Sequence, residues 1–202
     1  MKKDKKMKYN KLLTSFFLAG VFLLSGCGND NANSRLKSSP PKTKPSTGVG
    51  QVLETTTIIT TDGEVIRVSR TANGLIFSGH ENKIVLLEIY GDSCPHCKDS
   101  IPGYNILQNK YPNDVYVITI EAYGDLNSNA LREYANTYGM QYDTVAKENS
   151  GSMFSFLKSL TGYDREAVPY LTVYTRNGDL AQDIAPQGLS VPYVDSLIQE
   201  LL

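Results

Sequence analysis

Residues 84–97 read IVLLEIYGDSCPHC, and this stretch decides the fold. The apolar run 84–90 is short and continuous, as expected for a strand covered on both faces in an α/β protein. Directly after it, Cys94, Pro95, His96 and Cys97 open a segment, residues 94–110, that reads as a helix. Two cysteines separated by two residues in a first helical turn can close a small disulfide. The unpaired N–H groups and macrodipole of the helix N-terminus stabilise a thiolate at the same place. A bridge around so short a loop removes little entropy from the unfolded chain, so it makes a poor staple. The placement points to redox-active thiols.

Outward from this element the pattern alternates strand and helix. Residues 115–120 form a second continuous apolar run, while Leu131, Tyr134, Ala135 and Tyr138 fall at helical spacing, as do Met153, Phe156, Leu157 and Leu160. These aromatic and methionine stripes are core faces rather than cofactor boxes. Tyr170–Tyr174 and Leu180–Ile184 flank Asn177-Gly178, a hairpin signal, and Val194, Leu197, Ile198 and Leu201 make a last amphipathic helix. Upstream, residues 51–60 and 64–69 alternate around Thr61-Asp62-Gly63 and predict another hairpin. The order implies a central mixed sheet flanked by helices, with an N-terminal strand extension. There is no internal repeat, and about 150 residues suffice for one domain with a single core.

The first 26 residues have a different character. Lys2, Lys3, Lys5, Lys6, Lys8 and Lys11 form a basic n-region, and the apolar stretch 12–24 is too short to span a bilayer comfortably, which predicts a secretory signal. It ends in Leu24-Ser25-Gly26-Cys27, which resembles the lipobox of bacterial lipoproteins and implies cleavage before Cys27 and lipidation of that cysteine. Residues 27–50, rich in Asn, Ser, Pro, Lys and Thr, predict a flexible tether, and residues 51–202 the folded domain. Lipidation leaves Cys94 and Cys97 as the two thiols of an exported chain, where disulfides persist. Removing residues 1–26 takes away six lysines and one aspartate and changes the formal charge from −1 to −6. A nucleic-acid surface, which needs a basic face, is not expected.

From about residue 83 onward the chain resembles the thioredoxin fold, and its extra N-terminal strands and inserted helical region resemble the TlpA-like branch of exported thiol oxidoreductases. The likeness rests on features in register: the dithiol after a central strand; Glu88, six residues before Cys94; Lys98 after the second cysteine; Pro102, five beyond Cys97; and Val168-Pro169 before a strand and an Asn-Gly hairpin. The resemblance implies that Cys94 is the nucleophile and Cys97 the buried resolving thiol. It also implies that Glu88 is a buried acid able to take the Cys97 proton, and that a cis Pro169 with Val168 forms the platform for an extended cysteine-containing peptide. Pro95 limits the freedom of the loop, and Lys98 and Pro102 support the active-site helix.

His96, if protonated, adds positive charge beside the thiolate. The Pro-His pair, together with valine before the proline, resembles DsbA, a strong oxidant because its reduced form is stabilised. This favours oxidation of substrate thiols. Ser93 stands where the family carries an aromatic residue, and Asp92 places negative charge near the dithiol, so reduction of a dedicated client such as apocytochrome c stays open. A metal-binding lipoprotein using Cys94, Cys97 and His96 is a third possibility, though no second CxxC supplies further ligands. No cofactor or metal is expected. The expected partners are cysteine-containing exported proteins and a membrane or periplasmic redox partner that resets the pair.

His80 reads as a surface-loop residue without chemistry. Gly28 follows Cys27 where aspartate would retain a lipoprotein at the inner membrane, which fits the outer membrane of a Gram-negative cell. The outer face of a Gram-positive cell membrane is the alternative.

Overall fold

Every residue of the strand Ile84–Tyr90 is buried, because it lies in the middle of a five-stranded sheet packed on both faces. The computed structural model describes residues 50–164, 167–186 and 189–202. In chain order these form β1 (Glu54–Ile59), β2 (Val65–Arg70), β3 (Leu75–Phe77), β4 (Ile84–Tyr90), α1 (Pro95–Lys110), β5 (Val115–Glu121), α2 (Ser128–Tyr138) and β6 (Asp143–Val145). They continue with a single 3₁₀ turn (Lys147–Asn149), α3 (Met153–Thr161), β7 (Tyr170–Tyr174), β8 (Leu180–Ile184) and α4 (Val191–Leu201). The basic n-region, the apolar stretch 12–24, Cys27 and the proposed tether up to residue 49 lie outside the described residues. Among the described residues no helix is long and apolar enough to cross a membrane.

The large sheet runs β6-β5-β4-β7-β8, with β4 parallel to β5, β5 parallel to β6, and β7 antiparallel to both β4 and β8. Alternation along β4 sorts its side chains between two cores. Ile84 and Leu86 face Tyr104 and Leu107 of α1 and Val194 and Ile198 of α4. Val85, Leu87 and Ile89 face the opposite way, toward Phe156 and Leu157 of α3. Fully burying each such aliphatic chain contributes about 1.5–3 kcal/mol.

The N-terminal strands do not extend the central sheet. They form their own antiparallel sheet, β1-β2-β3, whose Ile58, Ile66, Val68, Leu75 and Phe77 share the core with α3. Their exposed residues alternate with these, as a sheet with one wet face requires. Helices therefore cover one face of the central sheet, and a helix together with a second sheet covers the other. β3 and β6 have three residues each, too few for a periodic signal, and were not expected from the sequence.

The two sheets meet where Asn73-Gly74 crosses Asn177-Gly178. Gly74 bridges Asp179, and Leu180 N–H donates to the Asn73 carbonyl at 2.9 Å. A Cβ on Gly74 would stand 2.0 Å from the Gly178 carbonyl oxygen and 2.7 Å from Leu180 N, all backbone that cannot turn aside. Gly74→Ala is therefore expected to cost about 3 kcal/mol through overpacking, a fall in melting temperature of roughly 10 °C. A fall below about 2 °C in a calorimetric scan would mean the crossing can open without penalty.

Candidate active site

The helix α1 begins at Pro95, which needs no N–H partner in a first turn, and Cys94 caps it in extended backbone conformation. Cys94 and Cys97 are joined as a disulfide, with Cα atoms 5.3 Å apart. Cys97 is 2% exposed, whereas Cys94 is half-buried. The Cys97 N–H points at the Cys94 sulfur at 3.1 Å, so the cap geometry that closes the turn would also donate to a Cys94 thiolate. Across from it the Val168–Pro169 peptide bond is cis, and the Val168 carbonyl oxygen lies 3.8 Å from Cys94 Sγ.

Glu88 occupies the centre of the sheet, paired with Thr119 of β5 and Leu171 of β7, and is 1% exposed. It shares the α1-facing side of β4 with Leu86, so its carboxyl looks into the core and not into solvent. The Ser100 hydroxyl lies 3.1 Å from Glu88 Oε1 and 2.8 Å from the Cys97 carbonyl, and its single proton serves one of these at a time. The Tyr104 hydroxyl stands close enough to couple with the carboxyl but closes no well-formed hydrogen bond. Burial pushes the Glu88 pKa up to about 8, against the opposing pull of Ser100 and Tyr104.

The remaining candidates lie around this pair. The His96 ring is 81% exposed, with Nδ1 3.9 Å from the equally exposed Asp99 carboxylate, so any positive charge there already has a counter-charge one turn along. Lys98 lies over the rings of Tyr134 and Tyr138 on α2, at 5.9 and 5.1 Å from their centroids. The helix runs on through exposed Pro102, whose missing N–H leaves the Lys98 carbonyl without its usual partner. Asp92 sits with Glu121 and Asp125 in a group of carboxylates within 4.8 Å of one another. Glu121 has no exposed surface; it accepts from the N–H groups of Tyr123 and Gly124, and burial raises its pKa. An open groove of about 520 Å³ leads away from Pro169 between α1 and α4, lined by His96, Ser100, Tyr104, Leu107, Val191 and Val194 among others.

No protein-family model matches the chain, and no curated protein sequence does. Solved structures do. A secreted disulfide oxidoreductase of Mycobacterium tuberculosis homologous to DsbE of Escherichia coli is 13% identical at a TM-score of 0.52, over 72% of this chain and 96% of that one. The thioredoxin domain of a thiol-disulfide oxidoreductase from Bacteroides vulgatus is 14% identical at 0.53, over 76% and 99%. An exposed lipoprotein thioredoxin of Streptococcus pneumoniae is 18% identical at 0.52, over 73% and 100%.

The chain has the thioredoxin fold.

Within that thioredoxin fold the structure brings Cys94, Cys97, Val168 and Pro169 to one spot and sets Glu88 beneath them, while His96, Lys98 and Pro102 line the helix around it. Two site residues were not singled out in the sequence. Ser100 lies one turn after Cys97 on the same helix face, a spacing that could have found it; Glu121 ends an apolar strand and carries no such signal. His80 requires a correction. It lies in a loop as expected, but its side chain is only 13% exposed and stacks on Tyr116, and burial is the chief cause that lowers its pKa.

Proposed function

We propose that this chain is an extracytoplasmic thiol:disulfide oxidoreductase of the TlpA-like kind, tethered through a lipidated Cys27, that exchanges the Cys94–Cys97 disulfide with cysteines of exported proteins. The observation that carries this reading is the pairing of an N-cap disulfide with a cis Val168–Pro169 bond, whose Val168 carbonyl lies 3.8 Å from the Cys94 sulfur. Residues 1–26 are the export signal and 27–50 the tether.

Exchange follows from the geometry. An incoming thiolate attacks the half-buried Cys94 sulfur and Cys97 leaves as a thiolate. The mixed disulfide resolves when a second substrate thiolate attacks the substrate sulfur and displaces Cys94; in the reducing direction it resolves when the Cys97 thiolate attacks Cys94 and releases the substrate thiolate. Glu88 takes and returns the Cys97 proton, with Ser100 as the hydroxyl between the carboxyl and the Cys97 backbone. Val168 and Pro169 hold the substrate peptide by strand-like pairing. The partners are cysteine-containing exported proteins and a membrane or periplasmic component that resets the pair.

The Pro-His dipeptide favours action as the oxidant. The reductase reading draws on two observations that oppose thiolate stabilisation: Asp99 beside His96, and the carboxylates of Asp92, Glu121 and Asp125. The reduction potential in glutathione buffers decides between them. A value around −120 mV, as for DsbA, is the expected result for a disulfide donor, and one near about −270 mV, as for thioredoxin, makes the chain a reductase.

A further inference from the structure

Three segments remote in sequence converge away from the dithiol. Glu64 ends the β1–β2 turn, His80 lies in the loop before β4, and Asp143 opens β6; one donor atom from each lies within 4.8 Å of the others. His80 is fixed from two sides. Its ring stacks on Tyr116 with centroids 3.4 Å apart and planes 6° from parallel, and its backbone accepts from Lys83 N–H while donating to Phe77. Both ring nitrogens are buried and find no hydrogen-bond partner among the described residues. Nε2 stands 3.5 Å from Glu64 Oε1 without closing a hydrogen bond. Leaving such nitrogens dry and unpaired is unfavourable, and an ion at Nε2 would relieve one of the two.

We propose that Glu64, His80 and Asp143 bind a divalent transition ion of the zinc type, with solvent completing the shell. An imidazole with two carboxylates suits zinc, whereas calcium takes six to eight oxygens that this site does not offer. Two donors on one zinc ion lie about 3.4 Å apart, close to the 3.5 Å seen between Nε2 and Oε1, and the third donor, within 4.8 Å of these, needs to close by at most about 1.4 Å. The Tyr116 hydroxyl donates to Asp143 Oδ2 at 2.6 Å, which orients that carboxylate and leaves its other oxygen for the ion. Burial lowers the His80 pKa, and it is the neutral imidazole that binds a metal ion. Of the charges acting on the ring, Glu64 and Asp143 favour a cation and Lys83 opposes it.

The ion would clamp the N-terminal hairpin to the central sheet. The same hairpin end is already pinned there by Thr61, whose N–H donates to the Thr144 carbonyl and whose hydroxyl pairs with that of Thr144, both at 2.8 Å. Tyr116 pairs with Val85 near the start of β4, while the dithiol follows its end, so roughly 20 Å of strand separates the two sites. The inference stands apart from the proposed redox activity.

The test uses the full oxidised chain and a Cys94→Ser/Cys97→Ser version, which has no dithiol to compete for metal. Both should bind one zinc ion in calorimetric titration. Zinc at a hundredfold excess over its dissociation constant should raise the melting temperature by about 5 °C or more. Glu64→Gln, at a half-exposed turn position, should weaken binding about tenfold. His80→Phe, which keeps a ring on Tyr116, should abolish it. Cobalt should give ligand-field bands without thiolate charge transfer. Any of four results would overturn the proposal: no zinc-dependent shift, an undiminished shift in Glu64→Gln, a shift confined to the chain with both cysteines, or an equal shift with calcium.

Discussion

A Cys97→Ala chain is expected to collect mixed disulfides through Cys94 in cell-envelope extracts, while Cys94→Ala collects none, and both lose dithiol turnover by roughly a thousandfold or more. The asymmetry follows from position within one helical turn. Cys94 caps α1 in half-exposed surroundings, beside the Val168 carbonyl and the groove that opens past Pro169. Cys97 lies one turn in, 2% exposed against Tyr90, Leu131 and Ala146, where a protein sulfur cannot reach it. With Cys97 absent, the thiolate of Cys94 still forms a bond to an oxidised partner but nothing within the chain breaks it, so the adduct persists. The Cys97 N–H that donates to the Cys94 sulfur belongs to the backbone and survives the substitution, so Cys94 keeps its activation. Non-reducing gels with mass spectrometry of the trapped bands provide the measurement. Adducts on Cys94→Ala at the level of Cys97→Ala would reverse the assignment of roles.

Much of this was legible in the sequence because the informative residues are local. The run before Cys94 is apolar at every position but one, and a strand buried on both faces must be; the odd position, Glu88, was thereby marked. The cap, the Pro at the helix start and the Asn-Gly hairpin each have a signature of two to four residues. What escaped depends on contacts between distant segments. β3 and β6 have three residues apiece and exist because β2 and β5 offer them edges. The packing of the hairpin as a separate sheet, rather than an extension of the central one, is decided by the crossing of Gly74 and Gly178, about a hundred residues apart. His80 does lie in a loop, but the burial of its side chain was hidden because its neighbours, Glu64, Tyr116 and Asp143, lie on three other segments.

Glu88→Gln should remove a large part of the pH dependence of stability. In the unfolded chain the carboxyl ionises near its ordinary value of 4.5, whereas in the fold burial holds the proton until about 8. Between these values the folded state binds more protons than the unfolded one, so stability falls as pH rises. The loss is absent below 4.5, grows through the window and levels off above 8. At 1.36 kcal/mol per pH unit it amounts to at most about 5 kcal/mol. The glutamine amide cannot ionise, so the variant should match the parent within about 1 kcal/mol at pH 4.5 and exceed it by several at pH 9, in urea titrations across that range. The exchange chemistry should move the opposite way. With its pKa at about 8 the Glu88 carboxyl is mostly protonated at neutral pH, so in the reducing direction, where Cys97 must lose a proton to attack the mixed disulfide, the resolving step should quicken through pH 8 in the parent and lose that rise in the variant. Stability curves that stay parallel would mean Glu88 ionises in the fold as easily as in water. A rise in the resolving rate that persists in Glu88→Gln would assign the proton transfer to another group.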